Sequence, residues 1–332
     1  MASTTSGGES RDGVKLTNLD QPLFEGAGAT KRDLVDYLDA IADRFVPVLE
    51  DRPLSVIRAH RDQAPFMQKN LPTYTPDFVP TVTLWAESSR RDVRYALGND
   101  RRTLLWFANQ RAIEYHPTLV RVPVLDHPTH LVLDLDPPEG ASFELVVRVA
   151  HLVRATLDDV GLAGAAKLSG AKGVHIYVPL ADDVTVEAAA AATRAIAERA
   201  AGRDPDRATT AFAKQDRGGK VFVDATRAGG ATVVAAYSPR ARPGSPVSFP
   251  VAWEDLDRIS PGDVTIRNAL DRLGDRDPWA DSMPPGQALP ADLVEEGRAI
   301  PGGRVQAMHE GKRRARADRA RRSAAPDEPP AS

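Results

Sequence analysis

Asp134 and Asp136 stand two residues apart at the end of an apolar run, Thr129-His-Leu-Val-Leu-Asp-Leu-Asp-Pro-Pro138. Successive side chains of a β-strand point to opposite faces. The two carboxylates therefore share one face with Val132, while Leu131, Leu133 and Leu135 share the other. Like charges this close repel unless a cation lies between them or one carboxyl takes up a proton. Pro137 and Pro138 end the strand, because neither can donate to a ladder. A bare D-x-D fits a divalent-metal site at a strand end and, more commonly, a polar strand end entering a turn.

Two further strand ends bear on that choice. Ser169-Gly-Ala-Lys-Gly173 is a small turn leading into an alternating strand that carries His175. Its glycines let backbone N–H groups approach an anion, and Ser169 and Lys172 add side-chain donors, an arrangement suited to a triphosphate. The spacing is not that of a Walker A loop, and an ordinary hairpin turn with a solvated lysine has the same composition. His175 alternates with Tyr177 and reads equally as core or ligand. Lys220-Val-Phe-Val-Asp224 supplies a third carboxylate, with Arg227 three residues on. Three carboxylates can hold two Mg²⁺ or Mn²⁺ ions and activate a 3′-hydroxyl in line with a leaving pyrophosphate. Cationic side chains around a glycine turn would neutralise the triphosphate. Phosphoryl transfer is mostly positioning and electrostatics, so no covalent nucleophile is needed.

The elements that hold these groups follow from pattern. Thr30 caps a helix with Leu34, Leu38, Ile41 and Phe45 on one face. Residues 54–60 and 81–85 read as strands, 65–72 as an irregular stretch, 103–111 as a buried element, and 113–117 as a segment ending in His116-Pro117. Residues 143–160 form an amphipathic helix closed by Gly161, and 187–201 an alanine-rich helix. Residues 237–250 are rich in Pro and Arg and read as a loop. Mixed strands and helices without regular βαβ alternation argue for an α+β domain.

With 332 residues, 42% hydrophobic and 27% charged, the chain is of globular composition. The absence of cysteine excludes disulfides, thiolate metal sites and cysteine nucleophiles. No apolar run is long enough to span a membrane and the polar N-terminus is not a signal peptide, so a cytoplasmic protein is the default expectation. Net charge is −3, but residues 312–322 hold seven basic residues and one acid, leaving 36 basic against 45 acidic residues elsewhere. So acidic a body needs local patches, or the tail, to hold nucleic acid. Residues 1–13 are expected to be disordered, 14–283 to form the domain, and 284–332 to be a Pro-, Ala- and Arg-rich disordered basic tail.

Taken in order, H-L-V-L-D-L-D-P-P, K-L-S-G-A-K-G-V-H-I-Y-V-P, K-V-F-V-D-A-T-R and A-A-Y-S-P-R-A-R-P-G resemble the polymerase domain of bacterial ATP-dependent ligase D, of the archaeo-eukaryotic primase superfamily. The resemblance implies a flattened α+β core with an RRM-like sheet. It also implies template-directed nucleotide addition, from NTP or dNTP, that fills gaps and extends broken ends in non-homologous end joining. Asp134, Asp136 and Asp224 match the carboxylates that hold two Mn²⁺ or Mg²⁺ ions. Ser169, Lys172, Gly173 and His175 match the nucleotide-phosphate turn, and His116 a histidine preceding the D-x-D strand. Arg217, Lys220, Arg227 and, with a one-residue gap, Arg240 fall where basic residues surround triphosphate and template. Lys31, Arg58, Phe66 and Lys69 are the implied DNA contacts. Ku and a separate DNA ligase are the implied protein partners, since no ligase or nuclease module accompanies the resemblance and a stand-alone form is expected.

The departures concern DNA. The resemblance implies a basic residue for a downstream 5′-phosphate where this chain has Gln21, and tandem aromatics where it has Phe66-Met67. The expectation is an intact catalytic centre with weakened recognition of a 5′-phosphorylated end. A non-catalytic end-binding module on the same fold and a primase that needs no primer are the alternatives.

Overall fold

The computed structural model describes residues 9–60, 63–86, 90–228 and 231–302. The N-terminal half comprises β1 (Ser10–Arg11), β2 (Val14–Lys15), α1 (Lys31–Ala40), α2 (Ala42–Leu49), β3 (Leu54–His60), β4 (Gln63–Gln68), β5 (Thr81–Ala86), β6 (Arg91–Ala96), α3 (Arg101–Asn109) and β7 (Ala112–Pro117). The remainder comprises β8 (His130–Asp136), α4 (Phe143–Asp159), β9 (Ala165–Leu168), β10 (Val174–Pro179), α5 (Val186–Arg203), β11 (Ala208–Thr209), β12 (Val221–Asp224), β13 (Pro250–Val251), α6 (Ala269–Leu273), α7 (Pro278–Ser282) and α8 (Ala291–Ala299). Helices and largely antiparallel sheets are mixed, as the α+β reading expects.

Six strands form one sheet in the order β11-β12-β8-β10-β9-β13, antiparallel throughout except for β11 beside β12. The D-x-D strand β8 is central and buries Leu131, Leu133 and Leu135 almost completely. Helices α4 and α5 pack against this sheet, covering the leucine face and leaving the aspartate face for chemistry. The second sheet has the order β4-β3-β6-β5, with β7 against β3. Strand β7 also meets the segment after β12, where Ala235 N–H donates to Tyr115 O at 2.9 Å and Tyr115 N–H to Ser238 Oγ at 2.9 Å. The two sheets are thereby stitched at the site.

Four expectations need correction. The helix begun by the Thr30–Asp33 capping box breaks at Ile41 into α1 and α2. The stretch with Phe66 is an edge strand, β4; Pro65 and the lack of alternation hid it, and an edge is where a strand tolerates proline. The N-terminal segment is placed from Glu9, where β1 pairs β2 and Arg11 bridges Asp36 at 2.6 Å. Most consequentially, the residues after 283 are not all disordered tail. Gln287 bridges Leu180, and its amide donates to Ala163 O while its carbonyl accepts from Ala163 N–H. Helix α8 then lies along α5 with Leu293 and Val294 buried. The alanine-rich α5 is apolar nearly all round and needs a cover on its outer side. Gly297 permits the contact: a Cβ there would stand 1.8 Å from Ala191 O. The basic cluster at 312–322 lies outside the described residues.

Candidate active site

Strand register assembles the site. Asp134 of β8 pairs with His175 of β10 on one side and Asp224 of β12 on the other, and His175 pairs in turn with Lys167 of β9. Directly opposed residues share a face. Asp224, Asp134, His175 and Lys167 therefore form one polar row across four strands. It opens on a cleft of about 500 Å³ whose lining includes Asp136, His116, Ser169, Lys172, Gly173, Arg217, Arg227 and Arg240. The cleft thus gathers every candidate catalytic and nucleotide-binding residue except Lys220, which sits half-buried in the turn that opens β12.

Arginines hold the carboxylates. Arg227 Nη2 donates to Asp134 Oδ2 at 3.4 Å, and its Nε lies 3.5 Å from Asp224 Oδ2. Arg217 Nη1 donates to Asp136 Oδ2 at 2.9 Å while its guanidinium stacks 3.9 Å over Phe222. His175 Nε2 lies 3.3 Å from Asp134 Oδ1. Burial pushes the Asp134 carboxyl up, but the charges of His175, Arg227 and Lys167 outweigh it and hold the group well below the usual carboxylate range. Asp224 moves the other way: burial raises it, against the hydrogen bond from Thr226 and the charge of Arg227. Two facing carboxylates driven apart in this way share their site best with a cation. Their oxygens suit a hard divalent ion. Among the described residues no three acidic or histidine side chains converge on one point; with Arg217 on Asp136, the Asp134–Asp224 pair is the available platform.

The glycine turn is built by its own serine. Ser169 Oγ accepts from Ala171 N–H at 3.2 Å and Gly173 N–H at 3.0 Å, leaving its hydroxyl proton for another acceptor. Those two amides are therefore already satisfied. Gly173 is required by close approach, since a Cβ there would stand 2.0 Å from Leu135 O; Gly170 adopts φ +66°. Lys172 is exposed at the cleft edge.

Two site residues escaped the sequence reading. Glu114, two before His116 on β7, accepts from His116 Nε2 at 2.8 Å and from Ala241 N–H at 2.9 Å, and pairs with Arg240 Nε at 3.1 Å. Arg240 also donates to Ser169 O. Burial raises the Glu114 carboxyl, but His116 and Arg240 bring it below its ordinary value. Strand alternation puts Glu114 and His116 on one face, so the signal was in E-Y-H-P itself. Lys167 is the second; counting outward from the Ser169–Gly173 turn places it opposite His175.

The implied DNA contacts lie elsewhere and divide. Lys31 is buried, its ammonium donating to Thr17 O at 2.5 Å and Asn109 Oδ1 at 2.6 Å. Burial, with Arg111 nearby, pulls its pKa down to about 8. Arg58 is also buried and donates to Gln110 O, Gln68 Oε1 and Tyr74 Oη. Gln21 accepts from Arg111, which also donates to Pro22 O and Leu23 O. Phe66, Met67 and Lys69 are exposed on or beside β4, and Met67 reaches the cleft.

Known proteins supply the family. The model of the LigD primase-polymerase domain matches residues 30–279. The bifunctional non-homologous end joining protein LigD of Bacillus subtilis is 32% identical over 266 residues, covering 78% of this chain and 42% of that protein. The multifunctional LigD of Mycolicibacterium smegmatis is 32% identical over 290 residues, covering 86% and 37%. The chain thus spans about two fifths of these relatives' length. The polymerase domain of Mycobacterium tuberculosis ligase D, solved in complex with DNA, superposes with a TM-score of 0.74 at 30% identity, covering 82% of this chain and 99% of that one. The chain has the primase-polymerase fold and belongs to the LigD primase-polymerase domain family.

Proposed function

We propose that this protein is a metal-dependent, template-directed nucleotidyltransferase that fills gaps and extends ends in non-homologous end joining. The observation that carries the reading is the register row Asp224–Asp134–His175 facing a cleft lined by Ser169, Lys172, Arg217, Arg227 and Arg240. Carboxylates and cations gathered in one cleft suit a metal-bound triphosphate. Asp134 and Asp224, joined by Asp136 once Arg217 leaves it, would hold Mn²⁺ or Mg²⁺, which would supply Lewis-acid stabilisation to the attacking and leaving oxygens. The chain's own residues do the rest. Arg217 and Arg227, now on the carboxylates, are placed to turn to phosphate oxygens; Ser169 and His175 offer hydrogen bonds to them. Glu114 keeps His116 and Arg240 aimed into the cleft. Primer-template DNA and NTP or dNTP are the substrates, and Ku and a separate ligase are the proposed partners.

Extension of a gapped primer-template with Mn²⁺ or Mg²⁺, ribo- and deoxyribonucleotides in parallel, tests the reading. Asp134→Ala and Asp224→Ala each remove several kcal/mol of charge stabilisation, so extension is expected to fall by about a thousandfold. Normal extension by either variant sinks the proposal. DNA-end binding by the wild type with no incorporation under either metal would favour a scaffold role instead.

A further inference from the structure

Lys167 is fully buried, and among the described residues no carboxylate lies within ion-pair distance of its Nζ. A buried lysine without an ionic partner is costly, and an apolar residue of similar length would remove that cost. Two contacts explain the position. Nζ lies 2.6 Å from Ser248 Oγ and 2.9 Å from His175 Nδ1. Ser248 donates its own proton to Leu168 O, so towards Nζ it accepts. On the other side of the ring, His175 Nε2 faces Asp134 Oδ1. A bare Nε2 lone pair would repel that carboxylate, so Nε2 carries a proton. Nδ1 then accepts, and the amine has N–H groups for both Ser248 and Nδ1 whether or not it is charged.

We infer that Lys167 is a positioning residue that locks His175 as its Nε2–H tautomer, presenting a fixed hydrogen-bond donor to the phosphates of the incoming nucleotide. The lock resembles the carboxylate or carbonyl that sets the tautomer of a metal-binding histidine, with the polarity reversed: here a donor holds Nδ1. Because Nδ1 accepts from the amine, the ring holds a single proton, on Nε2. The phosphate half of this inference rests on the nucleotidyltransferase reading; the tautomer half does not.

Long-range ¹H–¹⁵N spectra of histidine-labelled protein test it, with the His175 signals assigned by their loss in His175→Gln. The wild type is expected to show Nε2–H. Lys167→Met is expected to lose that preference and, with Mg²⁺ present, to bind nucleotide roughly tenfold more weakly by calorimetry. Lys167→Gln, whose amide can still donate to Nδ1, is expected to keep the Nε2–H form and most of the affinity. A wild type with Nδ1–H overturns the inference even if Lys167→Met fails to fold. So does a folded Lys167→Met with unchanged tautomer and affinity. A wild type that shows Nε2–H but binds no nucleotide overturns the functional reading and the phosphate role, and the tautomer lock stands.

Discussion

The six-stranded sheet and the N-terminal sheet treat their charged residues in opposite ways. On the first, the row from Asp224 to Lys167 is held by strand register, and each member touches another charged or polar group in the cleft. In the second region, Lys31 and Arg58 serve carbonyls and amides of the protein itself, while Phe66 and Lys69, of the implied DNA contacts, are exposed together with Met67. Residues that a family resemblance assigns to one ligand can therefore be placed very differently. A side chain set by a central strand has little freedom to move. A basic residue at a helix start or sheet edge can be recruited by any nearby acceptor.

Among effects on stability, Glu114 gives the largest, because it is where the N-terminal sheet reaches the cleft. Glu114→Gln keeps the shape but leaves Arg240 and His116 without a carboxylate. A buried hydrogen bond to a charged group is worth about 1.5–3 kcal/mol, so stability in denaturant should fall by about that much, with a raised KM for nucleotide. Because the carboxyl is held below its ordinary 4.5 in the folded state, the wild-type advantage is full above 4.5 and fades as pH falls through the lower folded value. A variant with wild-type stability and KM would mean the two sheets are not coupled there.

A smaller effect is expected where α8 covers α5. Gly297→Ala would drive a methyl into Ala191 O, and such overpacking costs about 1–3 kcal/mol. A lower melting temperature with unchanged nucleotide affinity is the expected result. An unchanged melting temperature would mean that α8 yields without cost and is no part of the folded unit.

Much of the six-stranded sheet was legible because period-two alternation fixes which side chains share a face, and Asp134, Asp136, His175 and Asp224 all follow it. The hairpin about Ser169–Gly173 even carried the Lys167–His175 pairing. What stayed hidden depends on long-range contacts. Nothing local in Ala291–Ala299 says that it must cover an alanine-rich helix a hundred residues earlier. Nothing local in Gln63–Gln68 marks an edge strand, whose pairing is decided by β3 alone. The fate of Lys31 was set by Asn109, 78 residues away. The family resemblance placed a basic residue near a proposed phosphate pocket, but packing gave it an interior role.

Lys31 also carries the smallest expected effect. With its ammonium committed to Thr17 and Asn109, and Gln21 bonded to Arg111, the segment expected to take a downstream 5′-phosphate presents no free cation from either residue. A phosphate held only by exposed groups such as Lys69 gains about 0.2–1 kcal/mol, so gap filling with and without it should differ by less than about fivefold. Lys31→Met should leave that ratio alone and act on stability instead. The folded-state pKa of about 8 lies below the ordinary 10.5, so burying the charged form costs the wild type in full below 8. That cost disappears between 8 and 10.5, and wild-type stability relative to Lys31→Met should rise with pH across that window. A tenfold or greater phosphate dependence, abolished by Lys31→Met, would show that the lysine leaves its interior partners to meet the DNA end. The contrast between the two sheets would then belong to the DNA-free protein alone.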